Sequence, residues 1–190
     1  MASSNAGKIR ELARLLQGLD VDVVAQSEFG VDDAVEDGDT FAANSLIKAR
    51  HAAEATGLPA IADDSGLSID ALNGAPGVYS ARYAGVHGDD EANNDKVLAE
   101  LEGVTDRGAA FHCVATYIEP GGEPLVGEGE WRGEILHARQ GEGGFGYDPL
   151  FFVPDAGVSS AELSPEDKNA RSHRGQALQK LVALIKQHYS

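Results

Sequence analysis

The sequence contains a single cysteine, Cys113. One thiol excludes an intrachain disulfide framework and any cysteine-rich zinc site, and its place in an apolar alternating run marks it as a reduced, half-buried filler. Basic residues are also scarce, with 15 Lys and Arg against 31 Asp and Glu and a formal net charge of −16. General DNA or RNA binding needs a basic stripe, so nucleic acid is not an expected partner. An anionic ligand would have to be held by local basic groups and metal against a repulsive overall field. Long hydrophobic runs are missing: no apolar stretch approaches the roughly 18 residues of a membrane span, and the start shows no signal-peptide pattern. The expected location is therefore the cytoplasm, with no membrane partner. There is no internal repeat, low-complexity tract or interdomain linker, and the spacing of a Walker-type phosphate loop does not occur.

What is present describes a globular chain. With 190 residues, 42% of them hydrophobic and 24% charged, it can build one substantial core. The stretch AIADDSGLSIDALNGAPGVYSARY, Ala60 to Tyr83, organises the rest. Its short apolar run, Ala60 to Ala62, reads as a buried strand that delivers Asp63 and Asp64 into a Ser65-Gly66 turn, with a second alternating stretch from Leu67 to Leu72. Adjacent strand residues point to opposite faces, so one carboxylate is available for chemistry and the other for bracing.

Ahead of this lies Met1 to Lys8, MASSNAGK, a loop and helix N-terminus where backbone N–H groups, the helix dipole and Lys8 suit an anion as well as an ordinary cap. Ile9, Leu12, Leu15 and Leu16 continue it as a helix toward Asp20. Val21 to Ala25 reads as a short strand, and Asp32 to Asp39 as a mostly solvated acidic loop. Thr40 to Thr56 is a predicted helix with Asn44 and Lys48 on one face, an amide and an ammonium suited to a phosphate. Gly57 and Pro59 end it.

Beyond the Gly74-Ala75-Pro76-Gly77 turn, Asp89 to Glu102 is a predicted helix with Ala92, Val97, Leu98 and Leu101 inward. Ala109 to Ile118 and Leu125 to Leu136 form a hairpin about Pro120-Gly121-Gly122, with Trp131 as packing. Arg139 to Pro154, RQGEGGFGYDPLFFVP, sets glycines around Phe145 and Tyr147, so that a backbone can approach a ligand beside a stacking ring. Ser164 and Pro165 open a helix by capping and by the fixed φ of proline. Lys168 and the polar Ser172-His173-Arg174-Gly175 cluster look built for recognition, and an amphipathic helix with Leu178, Leu181, Val182 and Ile185 inward closes the chain. The expected fold is a single α/β domain over residues 1–190: a central mixed sheet, flanking helices, a β-hairpin lobe and a substrate cleft between them.

Five ordered stretches, SSNAGK (3–8), TFAANSLIKA (40–49), ADDSGLSIDALNGAPGVYSARYAG (62–85), GGFGYDPLFF (143–152) and AELSPEDKNARSHRGQAL (161–178), resemble the inosine triphosphate pyrophosphatase family. That family hydrolyses noncanonical purine nucleoside triphosphates (ITP, dITP, XTP) to monophosphate and pyrophosphate. The resemblance implies that Ser3, Ser4, Asn5, Ala6, Gly7 and Lys8 form the first substrate loop and that Lys48 joins Lys8 on the triphosphate. By the same resemblance Asp64 is the catalytic carboxylate and a Mg²⁺ ligand, Glu36 a second acidic metal or water-activating position, and Ser65 a substrate contact. Phe145, Gly146, Tyr147 and Asp148 would line the base site, with Phe145 stacking, while Lys168, His173 and Arg174 read the purine edge. A homodimer is implied too.

One departure stands out. Family members usually carry an apolar strand before the first loop, and here only Met1 and Ala2 stand in its place, so the expectation is either a true start upstream of Met1 or a shortened first strand tolerated at a cost in stability. Two other readings compete: a pyrophosphatase for modified pyrimidine or methylated nucleotides, disfavoured by the SHRG and GFGYD stretches, and a regulatory nucleotide-binding module without turnover. The latter would not need a water-activating carboxylate.

Overall fold

In the computed structural model, residues 1–2, 6–16 and 21–190 are described. Ser3, Ser4 and Asn5, expected in the first substrate loop, lie outside them, as do the side chains of Ala6, Gly7 and Lys8. The helices are α1 (Ala6–Leu15), α2 (Phe41–Thr56), α3 (Asp90–Glu100), α4 (Pro165–Arg171) and α5 (His173–His188). The strands are β1 (Ala60–Ile69), β2 (Gly108–Ile118), β3 (Leu125–Ile135), β4 (Phe151–Val153) and β5 (Val158–Ser159). They form a five-stranded sheet whose spatial order, β1-β2-β3-β4-β5, is the chain order. Glu134 lies opposite Phe152, and Phe152 opposite Ser159, in antiparallel register. No helix of the described residues is long and apolar enough to cross a membrane.

The element ends follow from local chemistry. Thr40 caps α2 by accepting from Ala43 N–H, and Gly57 ends it at φ 68°, a left-handed conformation that glycine adopts without steric cost. Asp89 caps α3 and Ser164 caps α4, with Pro165 just inside the latter. Along β3, LVGEGEWRGEI alternates between buried and exposed from Gly127 onward. A Cβ at Gly127 would lie 2.2 Å from the Ala177 carbonyl oxygen, so glycine there lets α5 rest on the strand.

Two expected elements differ. β1 runs unbroken through Asp63, Asp64, Ser65 and Gly66, so the expected turn at Ser65-Gly66 is absent. Ser and Gly are frequent in turns, but here Gly66 and Leu67 are buried within the strand and tertiary packing overrides local preference. Val21 to Ala25 is not a strand, although Val24 O accepts from Met1 N and Gln26 N donates to Met1 O. Met1 and Ala2 are not in a strand, and Ala2 N donates to Ile61 O of β1.

The chain forms two compact units, one of residues 1–64, 113–129 and 174–190, the other of residues 65–112 and 130–173. The first packs Leu12, Ile61, Cys113, Ala115, Leu178 and Leu181 in one cluster and the alanines of α2 against Ala60 and Ala62 in another. Cys113, expected to be half-buried, is fully buried at 1% exposure. The second packs Leu67, Ile69, Val97, Phe111, Trp131 and Phe151, with the Trp131 ring centroid 5.2 Å from that of Phe151, so Trp131 is a core residue.

Candidate active site

In the first unit the strand itself separates the two adjacent carboxylates. Asp63 is buried at 4% exposure, and its Oδ2 accepts from Arg174 Nε at 3.2 Å. Asp64, one residue on and on the opposite face of the pleat, meets Lys48 of α2 at 3.3 Å. The same ammonium reaches Glu36 at 3.0 Å. One cation thus lies between two carboxylates that come from a loop and a strand.

The electrostatics follow from that geometry. Burial pushes the Asp64 carboxyl above its ordinary value, Lys48 opposes the shift, and the nearby charge of Glu36 adds to it. Burial alone would lower the Lys48 ammonium, but Asp64 and then Glu36 outweigh it and leave it raised. Lys48 therefore stays charged, while Asp64 is a stronger proton acceptor than a solvated aspartate.

Asn44 stands beside this cluster and ties the acidic loop to α2. It is 2% exposed, its Oδ1 accepts from Gly38 N at 2.8 Å, and its amide works against the rise that burial causes at the Asp64 carboxyl. A Cβ at Gly38 would sit 2.7 Å from that oxygen, so the acidic loop can close on Asn44 only with glycine there. Below it, Ser45 Oγ lies 3.1 Å from Ala62 O and 2.9 Å from Thr116 Oγ1, tying α2 to β1 just before the acidic pair.

The second unit holds the aromatic loop. Phe145 is 61% exposed and stands between Gly144 and Gly146, both at positive φ, with the Lys168 ammonium 4.9 Å from its ring centroid. Asp148 is buried, and its carboxylate accepts from Phe145 N at 2.8 Å, from Ser160 Oγ at 2.5 Å and from the Lys168 ammonium. Tyr147 is buried as well and donates from its hydroxyl to Ser80 O at 2.7 Å, burial holding the phenol well above its ordinary pKa. Of the four loop residues expected at the base site, the side chain of Phe145 is presented, while those of Tyr147 and Asp148 brace the loop. His173 is nearly buried and stacks on Phe111 at 4.8 Å with an interplanar angle of 13°.

Of the remaining expected residues, Ser65 is half-buried on β1 next to Asp64, and Arg174 is engaged by Asp63 through Nε. Sequence reasoning missed Ser80, Asp90, Asn94 and Ser160. Of these, only Asn94 carried a visible signal, an amide inside the apolar stripe of a helix.

The first set of side chains has the chemistry for metal-bound phosphates, hard carboxylate oxygens beside a permanent cation, and the second presents an aromatic face and a cation to a flat heterocycle. Each set is chemistry that a nucleotide-handling α/β protein uses. The chain belongs to the Ham1 family, whose model matches residues 1–184. It is 55% identical over 190 residues to the dITP/XTP pyrophosphatase of Pectobacterium atrosepticum, covering 98% of this chain and 96% of that one. It is 54% identical to that of Salmonella typhimurium, at the same coverage. A Ham1 protein from Coxiella burnetii superposes with a TM-score of 0.93 at 50% identity, over 97% of this chain and 96% of that one. A dITP/XTP pyrophosphatase from Mycobacterium abscessus superposes with a TM-score of 0.80 at 44% identity, over 96% of each chain.

Proposed function

We propose that the protein hydrolyses noncanonical purine nucleoside triphosphates, ITP, dITP and XTP, to the monophosphate and pyrophosphate in the presence of magnesium. The reading rests on one observation above the others, the Lys48 ammonium held between the Asp64 and Glu36 carboxylates. The named activity of the relatives supports it.

The two carboxylates fit the implied metal, since magnesium takes one or two carboxylates and completes its sphere with water and substrate phosphates. That Lys48 bridges them marks a point of negative potential where a cation is stable. Asp64 and Glu36 would hold the ion, which when bound neutralises charge on the phosphates.

The residues of this chain supply the rest. Lys48, with Lys8, holds the phosphates in place, and positioning together with charge stabilisation is most of what phosphoryl transfer asks of a protein. Asp64 takes the proton of the attacking water on a carboxylate oxygen as the new bond forms at the α-phosphorus and pyrophosphate leaves. Phe145 stacks on the base, and donors from Lys168 and Arg174 favour a 6-oxo purine over adenine, whose 6-amino group would leave them mismatched. His173, Ser65, Gly146, Tyr147 and Asp148 complete the substrate set, the last two by shaping the loop.

We also propose a cytoplasmic homodimer. Tyr79, 59% exposed with the Arg82 guanidinium 5.3 Å from its ring centroid, supports a contact in the Gly74 to Tyr83 stretch. The net charge of −16 argues against a nucleic-acid partner.

A pyrophosphate-release assay with ITP, XTP, GTP and ATP, with and without magnesium, tests the function. Release from ITP and XTP well above that from GTP and ATP, lost on chelation, is expected. Nucleotide binding without release would overturn the reading in favour of a regulatory module.

A further inference from the structure

Phe145 sits in an improbable setting for a recognition element. Its ring is 61% exposed, and the residues on both sides are glycines at φ 75° and 61°. Glycine loses more freedom on ordering than any other residue, so a loop of this kind does not hold one conformation by itself. Something has to fix it.

Helix α3 does so through two side chains one turn apart. Asp90 Oδ2 accepts from Gly146 N at 2.8 Å, and Asn94 Nδ2 donates to Gly146 O at 2.9 Å. Both hydrogen-bonding groups of the glycine next to the exposed ring are therefore taken by residues i and i+4 on one helical face. Asn94 is 1% exposed and is itself set by a bond from Nδ2 to Asp90 O at 2.7 Å. On the other side of the ring, Asp148 accepts from Phe145 N. The ring is held by its backbone at both ends, with the Lys168 ammonium 4.9 Å from its centroid.

We propose that Asp90 and Asn94 are positioning residues for base selectivity, holding the 145–147 backbone so that Phe145 presents one fixed face to the purine. The inference rests on the reading of Phe145 as the stacking ring. It adds to that reading a helix with no place among the expected substrate-contacting residues. If the ring were free to tilt, it would stack on any base about equally, and the edge donors would lose their register with the 6-oxo group.

The test uses the full-length protein and steady-state hydrolysis of ITP and ATP by the D90A, D90N and F145A variants. D90N loses the same charge as D90A, and with it the same favourable interaction with the helix N-terminus, but its amide oxygen still accepts from Gly146 N. A structural role for the charge would weaken both variants alike, whereas a positioning role spares D90N. The expected result is that D90A raises KM for ITP about three- to tenfold, the worth of one hydrogen bond, and narrows the ITP to ATP ratio of kcat/KM. Its kcat should change less than its KM, and D90N should stay within about twofold of the parent in both. N94L, read by the same assay after its melting temperature confirms folding, should follow D90A.

Equal behaviour of D90A and D90N, or an unchanged KM in D90A while F145A raises it, would overturn the proposal and leave the stacking role standing. If F145A itself leaves KM and the ITP to ATP ratio unchanged, the stacking reading falls and this inference falls with it.

Discussion

Removal of Asp63 tests the separation of labour between the two adjacent carboxylates. Its side chain is 2% exposed and that of Arg174 is 13%, with Nε and Oδ2 at 3.2 Å. In D63A the guanidinium keeps its charge, because arginine does not deprotonate in proteins, and it stays where water reaches it poorly. Breaking one side of a buried pair costs about 3–5 kcal/mol, and in a chain of this size each kcal/mol lowers Tm by roughly 2–4 °C. D63A should therefore melt roughly 6–20 °C below the parent. R174M should also melt below the parent, by the same loss of the pair. D63L/R174M, which replaces both charges with apolar groups, should recover most of the loss. Thermal unfolding followed by circular dichroism, with urea titrations to confirm the ranking, measures all three. A D63A variant melting within about 2 °C of the parent, or a double variant losing the sum of the two single losses, would refute the account of Asp63 as a buried brace.

Asp64→Asn keeps the shape but neither accepts a proton nor holds a metal as well, so pyrophosphate release from ITP should fall about 10²–10⁴-fold while nucleotide binding persists; turnover within a few-fold of the parent would remove Asp64 from the chemistry. Arg174→Ala should narrow the preference for ITP over ATP, since a hydrogen bond to a charged group is worth roughly 1.5–3 kcal/mol, and an unchanged ratio of specificity constants would leave Arg174 as a partner of Asp63 alone. Glu119 accepts from Tyr189 at 2.6 Å and Tyr117 at 3.1 Å, which hold its carboxyl below the ordinary value. A depressed carboxylate adds stability above its unfolded pKa, about 4.3, that disappears as pH falls through the lower folded value, so Tm of the parent should drop more steeply than that of E119Q from about pH 5 to about pH 3, and parallel curves would refute it. Light scattering at micromolar concentration should give the mass of a dimer, and a monomer mass would end that proposal.

The parts of this site that could be read from the chain are those whose geometry is set within a few residues. Asp63 and Asp64 fall on opposite faces because a strand alternates, whether or not a turn follows, so the split between them was legible although the turn was not. Lys48 was legible from its place on α2, whereas the bond by which Asn44, on the same face, closes the acidic loop was not. Contacts between residues far apart in the chain are of another kind. Tyr147 and Asp148 have the composition of a ligand-facing loop and turn inward, because Ser80 and Ser160 lie 67 and 12 residues away and offer them buried partners. Asp90 is invisible for the same reason. An acid in the first turn of a helix looks like a dipole partner, and its bond to Gly146 spans 56 residues. Asn93 and Asn94 were the signal that could have been followed. They interrupt the inward stripe that ends in Val97 and Leu101, and an amide buried at 1–2% exposure must find partners or cost stability. Asn93 accepts from Ala84 N and Asn94 donates to Gly146 O, so the polar part of the inner face of α3 serves two loops. A helix whose buried stripe turns from apolar to amide is therefore to be read as a holder of backbone, and the loop it holds is to be sought among the glycine-rich stretches elsewhere in the chain.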